Sequence, residues 1–202
     1  MISRLISSVQ YDTRDNKYSP TKGWLTGASL ENAGGFIGGD KNFVKGYTYV
    51  TYYRSLLKNI ILELRGRTGV VSSYGDTEKV PIYERFFAGG ATTIRGYSQR
   101  AVGPRGQGGY YLGGEGMVVG NAEVSFPIFK KLIKGAVFYD VGNVTEKYAD
   151  IFSDSSYKQA AGLGVRVKTP IGPVKLDYGY PLSDNYEDKK EGQFWFSVSH
   201  GF

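Results

Sequence analysis

Residues 81–114 read PIYERFFAGGATTIRGYSQRAVGPRGQGGYYLGG. Glycine is too frequent, and the hydrophobic period too broken, for a helix or a long strand. The segment is also too aromatic and too charged for a flexible linker, which would be mostly Gly, Ser and Pro. Tyr83, Phe86, Phe87, Ile94 and Tyr97 are apolar anchors that need a surface to pack on. A loop this long in a compact domain is functional or disordered, and its anchors argue for order. The fold must accommodate one large, ordered, arginine-bearing loop, spanning residues 75–115.

Both flanks of that loop alternate with a period of two, the mark of strands with one wet and one dry face. Before it, Leu5, Val9 and Tyr11 oppose Arg4, Ser8, Gln10 and Asp12. Trp24 to Asn32 and Phe43 to Arg54 repeat the pattern. Ile60 to Thr68 sets Leu62 and Leu64 against Glu63, Arg65 and Arg67. Three charges in line suit water or a polar interior, not a dry core. After the loop, strands are expected at Met117 to Phe126, Ile133 to Asn143, Gln159 to Thr169, Val174 to Tyr180 and Gln193 to Phe202. The last carries Phe194, Phe196, Val198 and Phe202 on one face.

Nine strands of roughly ten residues match tilted membrane-crossing strands and exceed the usual five or six of soluble sheets. The connections are expected to alternate short and long, as periplasmic turns and outer loops do in outer-membrane barrels. Tyr11, Trp24, Tyr52, Tyr53, Phe126, Tyr139, Tyr178 and Tyr180 are candidates for aromatic girdles at the two membrane interfaces. A soluble sandwich alternates too, but strand length, loop parity and the aligned charges favour the barrel. The fold class is therefore all-β: an antiparallel transmembrane β-barrel of about eight or nine strands, one domain over 1–202, with the long loop folded into the lumen.

Composition agrees. The chain has 202 residues, 41% hydrophobic and 15% aromatic, with 29 Gly and 17 Tyr, which favours strands and turns. The net charge is +6, yet the 25 basic residues are scattered, which argues against a nucleic-acid surface. With no cysteine there is no disulfide framework and no thiolate metal site. His200, the sole histidine, is a poor metal ligand or general base by itself. Asp184 with Glu187 reads as a solvated loop, and no nucleotide-binding motif occurs. No enzyme, no cofactor and no metal are expected.

The motifs resemble a known family. Tyr83-Glu84-Arg85-Phe86-Phe87-Ala88-Gly89-Gly90, then Ile94-Arg95-Gly96-Tyr97 and Gly103-Pro104, are similar to loop six of the BamA/TamA outer-membrane assembly barrels, the bacterial surface antigens. Tyr11 to Asn16, Ala122 to Pro127, Phe138 to Asn143 and Ser199 to Phe202 resemble further pieces in family order. The resemblance implies that the tetrad Ile94, Arg95, Gly96 and Tyr97 locks the loop inside the barrel. It implies that Arg95 meets Glu123 and Asp140 on the inner wall, and both acids fall on wet faces.

The resemblance also implies a bacterial outer-membrane location, lipid contact, and insertion or assembly of outer-membrane proteins at a weak strand seam. The chain departs from the family in having no POTRA-like segment and only the C-terminal part of the barrel. An odd strand count leaves open closure by about eight strands, pairing of two copies as a homodimer, or a fragment of a larger wall. A small structural or pore-type barrel without insertase activity is the competing function.

Overall fold

A computed structural model describes residues 2–129, 132–154, 156–169, 172–183 and 191–198. Nine strands form one antiparallel sheet in chain order: β1 (Arg4–Asp12), β2 (Gly23–Ala33), β3 (Phe43–Leu57), β4 (Ile60–Ser73), β5 (Gly116–Phe129), β6 (Ile133–Thr145), β7 (Lys158–Thr169), β8 (Gly172–Pro181) and β9 (Gln193–Val198). The fold is the expected all-β barrel wall with a long loop on its inner side. Phe202, His200, Asp184 and Glu187 lie outside the described residues.

The period-two pattern decides which face each residue takes. Cross-strand pairs such as Tyr49 with Arg67, Asn121 with Asp140 and Gly164 with Asp177 put the polar positions on one face. Glu63, Arg65 and Arg67 all lie there. The opposite face carries exposed apolar side chains: Leu5 is 56% exposed, Val9 69%, Leu163 65% and Phe194 83%. A row of exposed Leu, Val and Phe is unfavourable in water and natural against lipid. Trp24 and Tyr52 pair on that face near one end of the strands, with centroids 4.3 Å apart. Tyr178 and Phe194 pair near the other end at 4.6 Å. Tyr53 does not join a girdle. It is two residues from Thr51 and, like it, shares the inner face, opposite Glu63.

Three details differ from expectation. β3 and β4 are longer, because the hairpin at Lys58 and Asn59 is tight and β4 continues through Gly66 and Gly69 to Ser73. Gly69 breaks the hydrophobic pattern for a reason: a Cβ there would stand 2.5 Å from the Phe86 ring. The connection from β1 to β2 is not a short turn. Residues 13–22 form a loop in which the Asp15 carboxylate accepts hydrogen bonds from the backbone N–H of Thr21 and Lys22 and from the Thr21 hydroxyl. Closure by about eight strands does not occur among the described residues. β1 pairs with β2 alone and β9 with β8 alone.

The core sits between loop and sheet. Val80, Phe86, Ala88, Ile94, Tyr97 and Val102 of the loop pack on Phe43, Val71, Met117, Val119, Val144 and Ala160 of the wall. Removing such side chains from water supplies the main force that holds the loop in place.

Candidate functional site

The tetrad is presented by tight backbone turns. The Gly90 N–H donates to the Ile94 and Tyr97 carbonyls at 3.3 and 3.0 Å, and the Tyr97 N–H donates to the Ile94 carbonyl at 3.2 Å. Gly89 holds φ +98°, and a Cβ there would stand 2.4 Å from the Ser98 carbonyl oxygen. Only glycine fits that conformation without strain. The turns push Ile94 and Arg95 against the wall: Ile94 is fully buried and Arg95 is 7% exposed.

Arg95 meets two carboxylates. Its Nε and Nη2 donate to Asp140 Oδ2 and Oδ1 at 2.9 and 2.8 Å, a bidentate pair, and its backbone N–H adds a third bond to Asp140 at 3.0 Å. Nη1 donates to Glu123 Oε2 at 2.7 Å. The planar guanidinium lies 3.4 Å from the Phe138 ring centroid. Planarity makes the bidentate grip and the stacking compatible, which a lysine could not reproduce. Burial alone would lower the Arg95 pKa, but Asp140, then Glu123, outweigh it and raise the pKa above the ordinary arginine value. Arg95 is therefore a fixed positive charge, not a proton donor or base.

The cluster is larger than the resemblance implied. Arg166 on β7 donates to both Glu123 oxygens at 3.0 and 2.8 Å. Asp177 on β8 sits 2.6 Å from Arg166 Nη1 and 3.6 Å from Arg95 Nη1. Asn121 donates to Asp140 Oδ1 at 2.8 Å and to the Thr93 carbonyl at 2.6 Å. Two guanidiniums and three carboxylates thus interlock across β5 to β8. Each charge is paired, which burial requires. Arg166 and Asp177 fall within the expected strands Gln159 to Thr169 and Val174 to Tyr180, where sequence reading gives them no role. Only the strand register, Gly164 opposite Asp177, brings them to Arg95.

Gly96 lies against the wall where a Cβ would stand 2.6 Å from Ala160 Cβ. Tyr97 is 6% exposed, and its hydroxyl donates to the Gln159 or Ser183 carbonyl at 3.4 Å. Phe194 and Phe196 point outward from β9, on the same face as Val198. A second attachment had no forecast. Glu84, buried at the start of the loop, pairs with Arg4 of β1 at 3.1 Å and Lys45 of β3 at 3.4 Å. Phe86 stacks near Tyr47 with centroids 6.4 Å apart.

A sheet with an apolar outer face and an arginine-locked inner loop has a recognisable counterpart: the Omp85 superfamily domain matches residues 2–202. The chain belongs to that superfamily. It is 35% identical over 98% of its length to the outer membrane protein assembly factor BamA of Nitratidesulfovibrio vulgaris, covering 26% of that protein. It is 30% identical over 88% of its length to a SAM50-like protein of Schizosaccharomyces pombe, covering 40% of it. The fold matches the crystal structure of Haemophilus ducreyi BamA lacking POTRA domains 1–3, with TM-score 0.82 and 24% identity over 96% of this chain and 41% of that one. The chain therefore spans about a quarter of the length of the BamA relatives. Relatives occur in bacteria and in eukaryotes, so the family fixes an integral outer-membrane barrel without fixing a bacterial one.

Proposed function

We propose that this chain is the wall and plug of an outer-membrane assembly factor, in a bacterial outer membrane, acting without enzymatic chemistry. Its substrates are other outer-membrane β-barrel proteins. The observation that carries the reading is the arginine-locked loop seated on the inner face of a sheet whose outer face is apolar; the first and last strands of such a wall are where a partner strand would add. An open edge presents a row of backbone donors and acceptors, a template on which an incoming strand adds by pairing.

Nine antiparallel strands make β1 and β9 run the same way. Closing them on each other, or on a second copy inserted in the same orientation, gives a parallel seam, which is slightly weaker per residue than an antiparallel one. A weak seam is what an incoming strand can displace. Two copies pairing edge to edge would satisfy the backbone in lipid and leave two such seams.

The test uses the purified chain in liposomes with an unfolded barrel protein as substrate. The proposal expects faster folding of that substrate than in empty liposomes. No acceleration together with steady ion conductance in a planar bilayer would instead establish a pore-type barrel. The mass of the detergent-solubilised particle reports one copy or two.

A further inference from the structure

The plug loop touches both the first and the last strand of the described sheet. At one end, Glu84 holds Arg4 of β1 at 3.1 Å, and Arg4 also bonds Glu31 of β2 at 2.8 Å. At the other, the Trp195 indole N–H of β9 donates to the Arg95 carbonyl at 2.7 Å. The Ser98 hydroxyl reaches Gln193 of β9 at 3.3 Å. Glu84 and Arg95 lie in one ordered segment, joined through the packed anchors Phe86, Ala88 and Ile94.

We infer that residues 84–98 form a cross-tie between β1 and β9, with Glu84 positioning β1 and Trp195 positioning β9. The two attachments differ in kind from the Arg95 clamp, which grips the interior strands β5 and β6. Each reaches an edge strand by a polar contact that depends on the loop being seated. Trp195 bonds the main chain of Arg95, not its side chain. Any shift of the tetrad therefore moves the acceptor away from β9 even while the guanidinium keeps its carboxylates.

The tie's consequence for assembly rests on the edge-strand reading above, because holding an edge strand in place limits its availability for pairing. An incoming strand that unseats the loop would free both edges together.

The test is amide hydrogen exchange on the full 202-residue chain in detergent micelles. Trp195→Phe keeps the ring and removes the donor. Glu84→Gln keeps the shape and removes the charge. Loss of one such contact is expected to speed exchange about three- to tenfold in the strand it holds. Trp195→Phe should act on residues 193–198 and leave 4–12 unchanged. Glu84→Gln should do the reverse. Ser98→Ala and Arg4→Gln repeat the two arms if either first variant fails to fold.

Equal acceleration of both edges by each variant, or no acceleration of the strand named, overturns the cross-tie. Liposome folding assays on the same variants separate the two claims. Strand-specific exchange with no change in assembly keeps the tie and overturns its part in assembly.

Discussion

Strands β6 and β1 belong to one sheet and have the same alternation, yet they live in different surroundings. Ala136, Phe138, Asp140 and Val144 of β6 are all at most 5% exposed. Every residue of β1 from Arg4 to Asp12 is exposed, on both faces. The sheet is the same; the difference is the loop, which packs on the inner face of β3 to β7 and meets β1 through Glu84. Burial in this wall comes from the plug, and with it comes the requirement that Arg95, Glu123, Asp140, Arg166 and Asp177 be mutually paired. At β1 the polar inner positions are exposed, and the partners of Gln10 and Asp12, Tyr49 and Arg14, are surface contacts and not a buried network.

That contrast can be broken by mutation. The largest effect is expected from Arg95→Ala. It strands Asp140, fully buried, and leaves Glu123 to Arg166 alone, and should cost about 3–5 kcal/mol of stability. Denaturant titration in detergent measures it. Glu123→Gln combined with Asp140→Asn should be much less than additive with Arg95→Ala, because all three act in one network. Unchanged melting in Arg95→Ala would mean that the loop is held by its apolar anchors alone.

Gly179→Ala comes next. Its Cβ would stand 2.4 Å from the Arg95 carbonyl oxygen, a backbone atom that cannot swing aside. Overpacking of this kind costs about 1–3 kcal/mol, and here it should expose the loop to protease as well. Glu84→Gln should cost about 1 kcal/mol or less in the same titration, because the Arg4 side chain is 39% exposed and keeps Glu31. Ser8→Ala on β1 should stay within about 0.5 kcal/mol. If Ser8→Ala matched Gly179→Ala, β1 would have a covering that its exposure denies.

The wall was legible because its chemistry repeats every second residue. Glu63, Arg65 and Arg67 in line announced an inner face before any pairing was known, and the outward Leu5 and Val9 followed from the same rule. Glu123 and Asp140 were legible as partners of Arg95 through the family motif, helped by their phase. Arg166, Asp177 and Trp195 were not. Each lies on a separate strand, and what brings it to the loop is inter-strand register and the loop's path, neither of which leaves a local signal. Gly69 and Gly179 were unreadable for a related reason. The sequence shows a missing side chain, but not the Phe86 ring or the Arg95 carbonyl that fills the space.

Limited trypsin digestion of the chain in detergent micelles tests the seated loop most directly, because one loop carries both the probe and its control. Arg100 is exposed, whereas Arg95 is 7% exposed with its guanidinium and backbone N–H both bound to Asp140. The account predicts early cleavage after Arg100 and protection of the Arg95–Gly96 bond until the barrel unfolds. Cleavage after Arg95 as early as after Arg100 would contradict it.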